Sequence, residues 1–167
     1  MDIRVGLGHD THRLEEGRPL ILGGVTITHS HGLAGHSDGD IVLHALTDAI
    51  LGAIGAGDIG DHYPDTDSLW KGANSRLFLE GAMARMQGLG FEVINADIII
   101  HAQNPKLGPS KDLIKNQVAS FLGVDPQRVN IKAKTGEKVG HIGRIEAMAC
   151  QAVVLLQKDF GGRDHGA

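Results

Sequence analysis

Only one cysteine, one tryptophan and one tyrosine occur among the 167 residues, and aromatics make up 4% of the chain. With no second cysteine an internal disulfide framework is excluded, and a reducing compartment is expected. Within "EAMACQAVVLL", Cys150 reads as a small buried hydrophobe. Few aromatics together with a net charge of -4 supply neither the stacking platforms nor the basic footprint of a nucleic-acid binder, so no nucleic-acid partner is expected. No apolar run approaches the roughly 20 residues of a membrane span, and the opening residues do not read as a signal peptide. These absences predict a soluble, cytoplasmic protein without a membrane partner.

What is abundant is glycine, with 24 residues, and histidine, with 10, a bias towards ligand-binding loops. The length suits one domain, residues 1–160, that buries roughly two thirds of its unfolded surface, with "GGRDHGA" at 161–167 as a disordered tail.

The β-branched and small residues of "DIRVGLGHDTHRL" and the Gly-Gly pair in "RPLILGGVTIT" predict strands and a hairpin. "DIVLHALTDAILGAIGA" is apolar nearly all round and predicts a buried helix, capped by Ser37 or Asp38 and ending near Gly55 to Gly57. "SRLFLEGAMARMQGLG" sets Leu77, Ala84 and Met83, and likewise Leu79 and Met86, at helical spacings behind a Ser75 cap, with Gly88 or Gly90 as the stop. "FEVINADIIIHAQNPK" predicts a strand, "SKDLIKNQVASFLG" a helix with Ser110 as a candidate cap and Gly123 at the stop, and "RVNIKAKTGEKV" and "AMACQAVVLLQKD" two further strands. This order implies an α+β fold, a two-layer sandwich with helices on one face of a mixed β-sheet.

On an extended chain Asp10 and His12 share a face while Thr11 and His9 point the other way, so one ion can reach both. His44, one turn into the buried helix beside Asp40 and Asp48, is the better third ligand than His9. An Asp-His-His set suits zinc with one open position; the competing reading is a pair of solvated imidazoles and a packed helical histidine. "AGHSDGD" ahead of the helix presents N–H groups to an anion or serves only as a cap. The long loop "DIGDHYPDTDSLWKGAN" reads as functional, although its Gly-Asp and Pro-Asp pairs are also ordinary turn chemistry. "KAKTGEK" reads either as a phosphate site with a hard cation at Glu137 or as a solvated turn. Arg144 and Glu146 share a face if their segment is extended, pairing with each other or meeting symmetry copies near an axis.

Taken in order, "GHDTHRL", "HSDGDIVLHALTDAILGAIGAGDIGDHYPDTD", "AQNPKL" and "VNIKAKTGEKVGHIGRIEAMAC" closely resemble the 2-C-methyl-D-erythritol 2,4-cyclodiphosphate synthase family, from about residue 3 to residue 158, with Gly35 before the histidine of the central motif. The resemblance implies a homotrimer of α+β subunits with active sites between neighbouring chains. It further implies conversion of 4-diphosphocytidyl-2-C-methyl-D-erythritol 2-phosphate to the cyclic diphosphate, with release of CMP, in non-mevalonate isoprenoid biosynthesis.

Carried over by motif, Asp10, His12 and His44 would bind zinc, and Glu137 would bind magnesium or manganese. His36 and Ser37 would hold the phosphates and pre-organise the attacking 2-phosphate, and Thr135 would stabilise the transition state. Asp10, Thr11 and His12 would also face the substrate, whose methylerythritol part would meet Asp58, Ile59, Gly60, Tyr63, Pro64, Asp65, Thr66 and Asp67. The cytidine pocket would comprise Ala102, Gln103, Asn104, Pro105, Lys106, Leu107 and Gly108, with Lys134, Thr135 and Gly136. His141 and Arg144 would lie near the trimer axis, where family members can hold an isoprenoid diphosphate. Lys134 and Gly136 stand where some members have threonines, and His141 where an aromatic is frequent.

Overall fold

The computed structural model describes residues 1–158, and the expected tail at 161–167 lies outside them. Its longest strand, β1 (Asp2–Glu16), alternates faces along its length: Gly6 and Gly8 are buried, while Ile3, Val5 and Leu7 point outward and stay exposed. It pairs antiparallel with β4 (His31–Leu33) on one side and with β7 (Ala147–Lys158) on the other. β7 in turn pairs antiparallel with β5 (Phe91–His101), and β5 pairs parallel with β6 (Val129–Lys134). The result is the expected mixed sheet, five-stranded in the order β4-β1-β7-β5-β6.

The expected hairpin is a separate two-stranded ribbon, β2 (Leu20–Leu22) and β3 (Val25–Ile27). Its turn residues Gly23 and Gly24 both have positive φ, 62° and 77°, the geometry that matches strand twist and that glycine adopts without steric cost.

The buried helix is α1 (Ile41–Ile54), closed by Gly55 in the left-handed region. It packs on β1 and β7, and α3 (Arg76–Gly88) packs on α1 and β5, while α4 (Lys111–Leu122) covers β6. Two short helices, α2 (Ile59–His62) and α5 (Gly140–Gly143), lie in the loops. One cluster of buried apolar residues from the ribbon, the sheet and the three long helices fills the space between the layers. Cys150 is fully buried in it, as its surroundings imply. Among the described residues no helix is long and apolar enough to cross a membrane.

Four local expectations are corrected. The cap of α1 is Asp40, not Ser37 or Asp38, because Asp40 alone sits where its carboxylate reaches the N–H groups of Val42 and Leu43. Ser75 and Ser110 occupy the capping positions of α3 and α4 but make no capping hydrogen bond. The buried stripe of α3 is Phe78, Leu79, Ala82, Met83 and Met86, so Leu77 and Ala84 face solvent. Arg144 and Glu146 do not lie on a strand, since Ile145 between them has φ 61°; they nevertheless pair, at 2.8 Å.

Asp40 is fully buried and ties two elements together. Its Oδ1 accepts from the N–H groups of Gly23, Val42 and Leu43, and its Oδ2 from that of Gly24. Burial pushes its carboxyl up to about 6; the N–H groups of Gly24, Gly23 and Leu43 oppose that rise and the charge of Asp38 adds to it. Between the ordinary value of 3.8 and about 6 the folded state therefore binds more protons than the unfolded state. Its contribution to stability falls as pH rises through that window, by about 2–3 kcal/mol, and is level above it. Asp40→Asn should remove that slope from urea unfolding curves taken between pH 4 and 7. It should also cost about 2–4 kcal/mol at neutral pH, since an amide NH2 then opposes a backbone N–H.

Candidate functional site

Gly6 and Gly8 bring β1 and α1 into direct backbone contact. A Cβ on Gly8 would lie 1.9 Å from the carbonyl oxygen of Ala45, and one on Gly6 would lie 1.7 Å from that of Ala49. Close approach sets His44, next to Ala45 on α1, against Asp10, two residues beyond Gly8 on β1. His44 Nδ1 is 2.9 Å from Asp10 Oδ2, and His12 Nδ1 is 3.2 Å from the same oxygen. The ligand atoms of Asp10, His12 and His44 all lie within 4.8 Å of one another.

The donor set fits a metal cation. His12 Nδ1 is buried and has no hydrogen-bond partner among the described residues, so the contact with Asp10 lacks hydrogen-bond geometry. Burial by itself raises the carboxyl of Asp10, but the two imidazoles outweigh it and hold the group well below the usual carboxylate range. Burial lowers His12 and the Asp10 carboxylate reverses this, leaving it raised. Two rings and a carboxylate thus converge on one point that calls for positive charge. Behind His12 the loop is tight, since a Cβ on Gly35 would lie 2.9 Å from its Nε2.

This trio opens onto a cavity of about 510 Å³ lined also by His36, Ser37, Asp48, Ile59, Gly60, Tyr63, Pro64, Asp65, Trp70 and Phe78. Asp48 accepts from the N–H of Ile59 at 2.7 Å and so anchors α2 at the cavity wall. Burial raises its carboxyl, opposed by the Ile59 N–H and assisted by Asp58. Asp58 is spent on a reciprocal cap with Asp61. His36 lies 3.1 Å from the Asp67 carbonyl, and Asp67 caps the turn at Ser68–Trp70. The single tyrosine and the single tryptophan meet edge to face at 5.1 Å, and Tyr63 lies 4.6 Å from Phe78. Trp70 and Phe78 are not among the candidates the sequence offers; the signal for Trp70 is its place with Tyr63, the other singly occurring aromatic, in one long loop, whereas Phe78 lies on α3.

A second cavity, about 220 Å³, is lined by Ala102, Pro105, Lys106, Leu107, Gly108, Lys111, Ala133, Lys134 and Thr135. It gathers most of the expected cytidine residues and adds Lys111. Gln103 instead accepts from the N–H of Lys138, and Thr135 donates to Glu137 at 2.6 Å. Gly136 is packed so closely on Gly143 that a Cβ would lie 2.4 Å from its nitrogen. Thr11 is exposed on the outer face beside His9, hydrogen-bonded to it at 3.1 Å. Among the described residues, none lines both cavities.

The YgbB family model matches residues 3–157. A 2-C-methyl-D-erythritol 2,4-cyclodiphosphate synthase from Bordetella avium (strain 197N) is 56% identical over 155 residues, covering 93% of this chain and 96% of its own. The bifunctional IspDF structure from Campylobacter jejuni superposes with TM-score 0.91 at 49% identity, covering 95% of this chain and 43% of that longer one. A CDP-bound 2C-methyl-D-erythritol-2,4-cyclodiphosphate synthase structure superposes with TM-score 0.85 at 40% identity, covering 92% of this chain and all of that one.

Proposed function

The chain belongs to the YgbB family and has the activity of its cyclodiphosphate synthases, a lyase reaction in isoprenoid precursor biosynthesis, and we propose how its two half-sites divide that reaction. The observation that carries the proposal is the separation of the metal-ligand trio and the 220 Å³ pocket into cavities that share no residue. A substrate with a cytidyl end and a phosphorylated erythritol end needs both, and a neighbouring copy supplies the missing half. The face of the sheet opposite the helices supports such assembly, because Ile3, Val5, Leu7 and Val153 leave it apolar and uncovered in one chain. We assign a homotrimer on this basis, a single synthase domain at residues 1–160, and the cytoplasm as compartment.

Asp10, His12 and His44 hold zinc in this reading, and Glu137 holds magnesium or manganese. When bound, these cations neutralise phosphate charge and polarise the phosphorus centre under attack. An oxygen of the 2-phosphate forms a bond to the β-phosphorus, while the bond from that phosphorus to the bridging oxygen breaks and CMP leaves with the electron pair. The nucleophile is already ionised at neutral pH, so the chain's residues position the reacting groups without a dedicated base. His36, its ring oriented by the Asp67 carbonyl, and Ser37 hold the phosphates at the cavity mouth. Asp58, Ile59, Gly60 and the segment from Tyr63 through Pro64, Asp65 and Thr66 to Asp67 enclose the methylerythritol part. Ala102, Gln103, Asn104 and Pro105 to Gly108 receive the cytidine with Lys134 and Gly136, and Thr135 stabilises the transition state. His141 and Arg144 face the trimer axis, where an isoprenoid diphosphate would bind.

Phosphorus NMR of the protein with the diphosphocytidyl substrate, zinc and magnesium should show CMP and a cyclic diphosphate. Both should vanish on chelation, and sedimentation should give a trimer. A linear product would replace cyclisation by hydrolysis, and full activity in a monomer would overturn the shared site.

A further inference from the structure

We propose that Ser75 and Asp38 are positioning residues for the metal centre, acting through His44 to hold its ring with Nε2 turned inward and Nδ1 presented beside Asp10 and His12. The inference rests on the reading of that trio as a metal site. Ser75 is fully buried at the start of α3, where a serine usually caps the helix, yet it makes no capping bond. Its hydroxyl is diverted: Oγ donates to Asp38 Oδ1 and lies 2.8 Å from His44 Nε2. Asp38 in turn accepts from the Ser75 N–H through Oδ2 and donates its own N–H to the Ala73 carbonyl. The loop before α1 and the start of α3 are thereby locked around one imidazole.

The direction of the chain of hydrogen bonds follows from chemistry. An ionised carboxylate only accepts, so Ser75 gives its single proton to Asp38 and has only lone pairs left for His44. His44 Nε2 must then be the donor, and in the neutral ring the lone pair sits on Nδ1, the atom 2.9 Å from Asp10 Oδ2. Ser37 Oγ, 3.1 Å from His44 Nε2, receives the Gly39 N–H and provides a second, longer acceptor. A ligating histidine whose far nitrogen is held in this way loses about 10- to 100-fold in metal affinity when the holding group is removed. Asp38 and Ser75, two of the residues that the sequence offers as helix caps, are therefore employed at the site instead.

The test is zinc affinity of the metal-stripped protein by competition with a chromophoric chelator, with the visible spectrum of the cobalt-loaded protein as a second readout. Ser75→Ala should weaken zinc by about 10- to 100-fold and shift the cobalt bands, whereas Ser75→Thr, which keeps a hydroxyl, should remain within about threefold of wild type. Asp38→Asn should weaken zinc as well, and should add little in the presence of Ser75→Ala because it works through that hydroxyl. Should Ser75→Ala not fold, Ser75→Gly, which removes the same hydroxyl, adds no metal ligand and is tolerated at a helix N-terminus, carries the same comparison. Wild-type affinity and an unchanged cobalt spectrum in Ser75→Ala, or fully additive losses in the double variant, would overturn the proposal. Absence of zinc binding in the wild type would instead overturn the metal centre on which it rests.

Discussion

Asp10→Asn and His44→Ala are each expected to lower turnover by about a thousandfold or more while the assembled fold persists. Both side chains belong to the one point where a carboxylate and two imidazoles converge. A cation held there offsets charge repulsion between a phosphate nucleophile and a diphosphate, worth several kcal/mol, and each 1.4 kcal/mol or so is a factor of about ten in rate. Asp10→Asn is isosteric, but it removes the charge that the two rings stabilise. It also replaces an anionic oxygen ligand by a neutral amide, which binds a cation far more weakly. His44→Ala deletes a ring that is only 8% exposed, leaving a hole next to the cavity without unpairing the backbone of α1. Metal content, phosphorus NMR and sedimentation on the same preparations separate loss of chemistry from loss of structure. Wild-type turnover by either variant after metal stripping would sink the metal-assisted mechanism.

Gly8→Ala should be strongly destabilising, and Gly52→Ala, on the helix it faces, should be mildly stabilising. The new methyl at position 8 would sit 1.9 Å from the Ala45 carbonyl oxygen and 2.7 Å from the Ala49 nitrogen. These are backbone atoms of a buried helix, and no rotamer change relieves the overlap, so α1 must lift off β1. Overpacking of this kind costs about 3 kcal/mol or more, which for a chain of this size lowers the melting temperature by about 10 °C. Lifting α1 also separates His44 from Asp10, so zinc affinity should fall along with stability. At Gly52 a Cβ meets nothing within 4 Å, and its φ is not positive. There alanine gains helix propensity, by up to about 1 kcal/mol. Urea unfolding of the two variants beside wild type measures both signs. A neutral Gly8→Ala would mean that contact between helix and strand does not set the site.

Much of the site was legible because its signals are local. A two-residue period places Asp10 and His12 on one face and Thr11 and His9 on the other, and the strand keeps that alternation. Gly23 and Gly24 announce a hairpin through their own φ preference, and the apolar surface of α1 announces its burial. The reach of His44 to the pair on β1 was legible only as a possibility until the small residues on the facing surfaces were seen in contact.

Capping was misread for a physical reason. A serine or aspartate before a helix offers the same oxygen to the helix N–H groups and to any distant donor, and only the assembled fold decides which competitor is nearer. Asp40 caps α1 because the ribbon turn brings the Gly23 and Gly24 N–H groups to the same carboxylate. Asp38 and Ser75 are drawn to each other across 37 positions of sequence. The face of α3 was misassigned because several apolar stripes fit its spacing, and contact with α1 selected the one containing Phe78.

By itself, then, the sequence determined the types of element, the pairing of Asp10 with His12, the absence of a disulfide framework and, through its motifs, the family. Tertiary structure decided which oxygen caps which helix, how the rare aromatics line the cavity, and that the Asp10, His12 and His44 trio and the pocket beside Lys134 and Thr135 lie apart in one chain. The first group depends on backbone preference and side-chain spacing within a few residues, which the local sequence carries. The second depends on competition among hydrogen-bond and packing partners far apart along the chain, which is resolved only when strand and helix come within contact distance.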